Sequence, residues 1–172
     1  MFARSQHWRL AAAALALSAQ SVLVRAAPPS ADAGGTALVL HPVSVVKLKD
    51  LDFGILAPGA AGTAVIEPNA DVLTTTGGVI ALGGSPHSAE FAGAAGTSAV
   101  VNIKLPKQPV VLTRVGGTQT VSVSNFTNQG QNKRTIAAKT WFSFRVGGTL
   151  NVAANQAEGT YIGTFDVTVQ YP

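Results

Sequence analysis

Residues 159–172 read GTYIGTFDVTVQYP, and their alternation constrains the fold more than any other stretch of the chain. Tyr161, Gly163, Phe165, Val167, Val169 and Tyr171 fall on one face of an extended backbone. Thr160, Ile162, Thr164, Asp166, Thr168 and Gln170 fall on the other. A period of two is the signature of a β-strand, and a polar second face (Ile162 apart) places one side against a core and the other in water. Shorter β-prone segments recur upstream: Val43–Leu48, Thr63–Glu67, Val72–Thr75, Val79–Leu82, Ala99–Leu105, Val110–Thr113, Gln119–Phe126, Trp141–Val146 and Leu150–Val152. Glycine pairs at 77–78, 83–84, 116–117 and 147–148 punctuate them and read as hairpin turns. Short strands at such spacing predict a β-sandwich rather than alternating strands and helices. No mature segment keeps a 3.6-residue period for the length a helix needs, and Gly93 and Gly96 weaken any helix around Ala92, Ala94 and Ala95. Trp141, Phe142 and Phe144 are expected in the core.

The first residues have a different grammar. Arg4 and Arg9 precede an apolar run of 15 residues, Leu10 to Val24, and small residues follow at Ala26 and Ala27. This is the pattern of a secretory signal peptide spanning 1–26. The run is short for a bilayer span and carries Ser18, Gln20 and Ser21, which argues against a permanent anchor and for no stable membrane insertion after cleavage. Residues 27–42 then read as a flexible arm and 43–172 as the folded domain. Export removes Arg4, Arg9 and Arg25, so 12 basic against 8 acidic residues become 9 against 8. The basic isoelectric point of the whole chain is therefore no sign of a nucleic-acid partner. With no cysteine, the exported domain is held by its core or by assembly rather than by disulfides. Charged residues are 12% of the chain, about half the usual share, which suits a surface covered by neighbours.

Catalytic and metal-binding patterns are missing. His41 and His87 are far apart and show no metal-ligand spacing, and no cysteine supplements them. Ser85-Pro86-His87-Ser88 lacks the nucleophile-elbow context of a hydrolase and reads as a polar loop. Asp50 and Asp52 stop short of a calcium loop because Phe53-Gly54 ends the acidic series, and a turn role is the simpler reading for Asp52. Neither an enzyme nor a cofactor is expected. Asn125-Phe126-Thr127 matches a glycosylation sequon, a three-residue pattern frequent by chance.

Several motifs in fixed order carry a resemblance. They are Leu51-Asp52-Phe53-Gly54, Thr74-Thr75-Thr76-Gly77-Gly78, Asn125-Phe126-Thr127, Val146-Gly147-Gly148-Thr149-Leu150 and Asn155-Gln156-Ala157-Glu158-Gly159-Thr160-Tyr161. Together they resemble the bacterial family labelled domain of unknown function 4402, whose members are exported and pilin-like. Gly159, fourteenth from the end, and the penultimate Tyr171 also make the terminal strand similar to that of chaperone–usher pilus subunits.

The resemblance implies an immunoglobulin-like sandwich lacking its final strand in its own chain. It further implies a donor strand supplied by the arm of another subunit, after a periplasmic chaperone and with an outer-membrane usher. The candidate donor is Thr36, Ala37, Leu38, Val39 and Leu40, with either Ala37 and Val39 or Leu38 and Leu40 facing inward. The candidate acceptor is the strand carrying Gly159, Tyr161, Gly163, Phe165, Val167, Val169 and Tyr171, with Val43–Leu48 as the opposite wall. On this reading the protein is a fimbrial shaft subunit that travels through the periplasm to the cell surface and polymerises with copies of itself or other pilus subunits. Two alternatives stand beside it: Thr36–Leu40 pairs within its own chain, or the protein is a monomeric exported module or adhesin that recognises glycans or host surfaces.

Overall fold

In the computed structural model, residues 44–171 are described. The expected signal peptide (1–26), the arm (27–42) with its candidate donor Thr36–Leu40, Val43 and Pro172 lie outside the described residues. The described chain is all β, and no helix in it is long and apolar enough to cross a membrane. Eleven strands follow in order: β1 (Ser44–Lys49), β2 (Ile55–Ile66), β3 (Leu73–Gly83), β4 (Ala89–Ala95), β5 (Ala99–Lys104), β6 (Val110–Arg114), β7 (Thr120–Asn128), β8 (Lys133–Ile136), β9 (Thr140–Val152), β10 (Tyr161–Ile162) and β11 (Thr168–Gln170).

They form two antiparallel sheets. The larger runs β1-β4-β9-β7-β6-β10, with the β2–β3 hairpin attached to β9; the smaller runs β11-β5-β8. β9 organises the larger sheet because it is long enough for two partners along one edge. Its first half pairs with β4 (Phe144 opposite Phe91) and its second half with β2 (Leu150 opposite Ala64), while β7 lies along its other edge. Phe144, Val146, Gly148, Leu150 and Val152 are buried at every second position, so one strand contributes to both ends of the core.

At one end the sheets face each other. Ala89, Phe91, Phe144 and Val146 from the larger sheet pack with Ile103 of β5 and with Val169 of β11. The rings of Phe91 and Phe144 stack at 5.3 Å between centroids. Ala95, Val101 and Ile136 extend this contact. At the other end Ala64, Ile66, Val79, Val121, Val123, Leu150 and Val152 form a second cluster, with Phe53 against it.

Three expectations are corrected. Gly77 and Gly78 lie inside β3, and Gly147 and Gly148 inside β9; neither pair is a hairpin turn. They allow close approach instead. A Cβ on Gly147 would stand 2.1 Å from the carbonyl oxygen of Ile66, and one on Gly78 would stand 2.2 Å from the amide nitrogen of Ala60 in the bulged part of β2. Ala89–Ala95, which carries no β-branched residue and lies outside the segments expected as strands, is a central strand. Ala89, Phe91, Gly93 and Ala95 are buried at every second position, and burial decides where propensity is weak. Trp141 is not in the core: it points from the outer face of β9 and is 76% exposed, whereas Phe142 and Phe144 point inward.

Polar ties hold the loops. Asp52 accepts a hydrogen bond from the Gly54 amide at 2.7 Å, and its backbone bridges to His87, which is the turn role expected of it. Asp71 accepts bonds from both the amide and the hydroxyl of buried Ser88 and from Arg145 Nη1 at 2.7 Å. The Ser88 hydroxyl, followed by the amide and the cations Arg145 and Lys49, holds the Asp71 carboxyl below the usual carboxylate range against the opposing effect of burial.

Candidate functional site: an open groove beside the terminal strand

The terminal stretch keeps its alternation and loses its continuity. Tyr161, Phe165, Val167, Val169 and Tyr171 are half-buried, while Ile162, Thr164, Asp166, Thr168 and Gln170 are exposed. The single strand expected over Gly159–Tyr171 is divided. β10 pairs with β6 of the larger sheet (Ile162 opposite Thr113), β11 pairs with β5 of the smaller one (Val169 opposite Ile103), and residues 163–167 belong to no strand. The reason is geometric: one segment borders both sheets and must cross from one edge to the other. Gly163 makes the crossing feasible, since a Cβ there would stand 2.7 Å from the carbonyl oxygen of Val111.

Local structure fixes where this segment begins. Gly159 has φ +141°, a conformation that side chains rarely adopt, and a Cβ would meet the Arg114 side chain. Arg114 in turn donates to the Glu158 carbonyl. The Tyr161 hydroxyl donates to the Ala157 carbonyl at 2.6 Å and accepts from Gln156 Nε2 at 2.7 Å. A tyrosine bonded back to the backbone just upstream of its strand is a recurrent corner device of β-sandwiches.

Beside this segment the core is open. A groove with a volume of about 480 Å³ runs between Tyr161 with the 156–160 turn on one side and Leu51, Phe53, Ile55 and Leu56 on the other. Its floor is apolar: Leu112, Val121, Leu150 and Val152. A narrow extension of about 40 Å³ continues toward Gly163 and Phe165, sharing Leu51, Phe53 and Leu112 with the wider part. Phe165 stands at the junction of the two core clusters, 4.9 Å from the Phe126 ring and 6.5 Å from that of Phe91. Val167 and Val169 turn toward the Phe91–Phe144 cluster, where Val45 of β1 also packs.

Of the acceptor residues read from the sequence, Tyr161, Gly163 and Phe165 line the groove and its extension, and Gly159 closes one end. Val167 and Val169 belong to the adjoining core. Tyr171 is half-buried at the end of the described chain. No described residue of Val43–Leu48 lines this groove. β1 is hydrogen-bonded to β4, and the facing wall is the irregular stretch that follows it together with the start of β2, where the Asp52 turn and Gly54 at φ +69° set the course of Leu51, Phe53, Ile55 and Leu56. The Leu51-Asp52-Phe53-Gly54 motif was the available signal. The floor residues gave none, because β6, β7 and β9 look alike in sequence whichever part of the core they face.

The groove is poor in groups that do chemistry. Glu158 and Asp52 are the acids along it, and Asp52 is engaged by the Gly54 amide. Among the described residues no cluster of His, Asp and Glu has metal-site geometry. Ser88 bonds directly to Asp71 and His87 Nδ1 lies 2.6 Å from the Ser85 carbonyl, so the residues around Ser85-Pro86-His87-Ser88 do not form a serine–histidine–acid relay. What the groove offers is apolar surface beside an unladdered stretch of backbone.

No curated protein and no solved structure matches the chain. The family model described as domain of unknown function (DUF4402) matches residues 43–171, a span that contains both walls and the floor of the groove, and the chain belongs to that family.

Proposed function

We propose that this protein is a structural subunit of a cell-surface fimbria, polymerised when the groove beside Tyr161–Phe165 takes an extended segment from another subunit. The observation that carries the reading is the groove itself. An apolar floor of Leu112, Val121, Leu150 and Val152 lies open between residues 51–56 and residues 156–161, and the chain that continues from Tyr161 has five successive residues outside any strand. An extended peptide in that space satisfies backbone groups along its length and covers the floor with alternate side chains. The Tyr161 corner supports an immunoglobulin-like arrangement in which this segment is the last strand that the chain itself provides. Thr36–Leu40, apolar and uncharged, is the proposed donor, and export, a periplasmic chaperone and an outer-membrane usher complete the route.

The test is electrophoresis of protein sheared from the cell surface, with and without boiling in detergent. A ladder of multimers that collapses to monomer only on boiling is expected, because a strand locked into a core leaves slowly. Deleting residues 27–40 should abolish the ladder while the domain still folds. A ladder from the deleted chain sinks the donor assignment, and monomer in every lane sinks the fimbrial reading.

A second reading, a monomeric exported module that binds glycans or host surfaces, has one observation in its favour. Trp141 presents its ring to solvent on the outer face of β9, beside small residues at Ala94 and Ser143. It accounts for neither the groove nor the low charge of the chain.

A further inference from the structure

β3 pairs with β2 and with no other described strand, so one edge of an 11-residue strand has no ladder partner among the described residues. Such an edge is a template for another extended chain unless something blunts it. β1, also at an edge, is blunted by Lys47 and Lys49. β3 reads LTTTGGVIALG, without a charge or a proline, although its pairing with β2 shifts register twice. Its outer apolar side chains are bare as well. Ile80 is 60% exposed and Leu82 64%, and Ile55 of β2, itself 60% exposed, lies beside them through the Ile55–Gly83 pairing.

We propose that β3 is a lateral docking edge whose occupant is β3 of a second copy of this chain, paired antiparallel about a two-fold axis. The backbone selects the kind of partner, since only an extended chain satisfies a row of N–H and C=O groups at strand spacing. The charge pattern selects the copy. A neutral strand meets itself without any like-charged pair face to face, a condition that β1 fails. A two-fold axis also brings Ile80 and Leu82 of both copies into one joint sheet, which shields surface that a free monomer leaves wet. No residue of β3 lines the groove, and only Ile55 borders both, so head-to-tail assembly and lateral pairing are separable by substitutions on β3.

Because the full chain has no cysteine, a single-cysteine scan tests the contact directly. Thr74→Cys, Thr76→Cys, Ile80→Cys and Leu82→Cys are each oxidised, with Val46→Cys on β1 as an exposed control. One β3 position, the one nearest the axis, is expected to give disulfide dimer at about tenfold the control level. Adding Ile80→Lys to the dimer-forming variant (or Leu82→Lys where position 80 carries the cysteine) should return it to the control level with an unchanged circular dichroism spectrum. The dimer should persist when residues 27–40 are deleted, which separates it from the groove reading. Dimer no greater than the control at all four positions overturns the proposal, as does equal dimer at all four. A crosslink from β3 to a cysteine placed within 36–40 of the same chain also overturns it, because the edge is then covered from within.

Discussion

The two ends of the core are built from the same strands and finished differently. Around Phe91 and Phe144 the larger sheet is covered by β5 and β11 of the smaller one, and the two rings stack side by side on its inner face. Around Leu112, Leu150 and Val152 no second sheet covers the same curled sheet among the described residues. The 51–54 stretch with the start of β2 lies on one side and Tyr161 on the other, and about 480 Å³ stays open between them. β9 runs through both ends, so the difference does not come from the quality of its apolar pattern. It comes from the terminal segment, which divides at Gly163 and delivers Phe165, Val167 and Val169 to the covered end but only Tyr161 to the open one. A chain can thus carry a complete alternating pattern and still leave part of its core open among the described residues.

Cavity-forming substitutions break the comparison most directly. Phe144→Ala is expected to cost about 3–5 kcal/mol in urea unfolding, because the ring is fully buried and covered on both sides. A cost under about 1 kcal/mol would show that the covered end is as loosely packed as the open one. A synthetic peptide of residues 27–42, added to a chain lacking 27–40, should stabilise it by about 2.7 kcal/mol at a hundred times its dissociation constant. No stabilisation at any concentration removes that segment as an occupant of the groove.

Phe165→Ala should cost about 2 kcal/mol without peptide, less than Phe144→Ala because the ring is only half-buried. That cost should rise when the peptide is bound, whereas the cost of Phe144→Ala should not. Equal changes for both would mean that the groove and the covered core are one cooperative unit.

Asp71 sharpens the picture at the loop that ties β4 and β9 together. Its carboxyl is held below the usual range chiefly by the Ser88 hydroxyl, so folding favours the ionised form. The stability it contributes is fully present above about pH 4 and is lost as pH falls through its lowered folded value. Asp71→Asn should therefore narrow the gap between unfolding midpoints at about pH 7 and about pH 3. An unchanged gap would assign acid sensitivity to other carboxylates. Trp141→Ala should be the mildest change, within about 0.5 kcal/mol, since the ring stands mostly in solvent.

Much of this fold was legible residue by residue. The alternation from Tyr161 to Tyr171 survives in the burial of its side chains, and Val121 and Val123 face inward as their spacing requires. Short segments around Ala99, Val110 and Thr120 appear within a residue or two as β5, β6 and β7. Ala89–Ala95 was illegible because alanine and glycine have no β preference of their own, and its strand forms where β1 and β9 pair with it on either side. Trp141 was misassigned because an aromatic beside Phe142 and Phe144 looks like core, although its position places it on the opposite face. The Tyr161 side of the groove lies on a strand face that was legible; on its other side Leu51–Gly54 was legible as a motif but not as a wall.

What this sequence determined alone is the all-β character of the described chain, the face that strands such as β7 and the terminal stretch turn inward, and the absence of any disulfide. All of these follow from local periodicity and residue type, which need no knowledge of partners. Only the tertiary structure decided which strands are neighbours, that Gly147 and Gly148 serve close packing instead of a turn, and that the core stays open beside Tyr161. Backbone hydrogen-bonding groups are the same in every strand. Pairing is therefore settled by the shapes that meet across the sheet and by how far each segment reaches, and neither is written in any one segment.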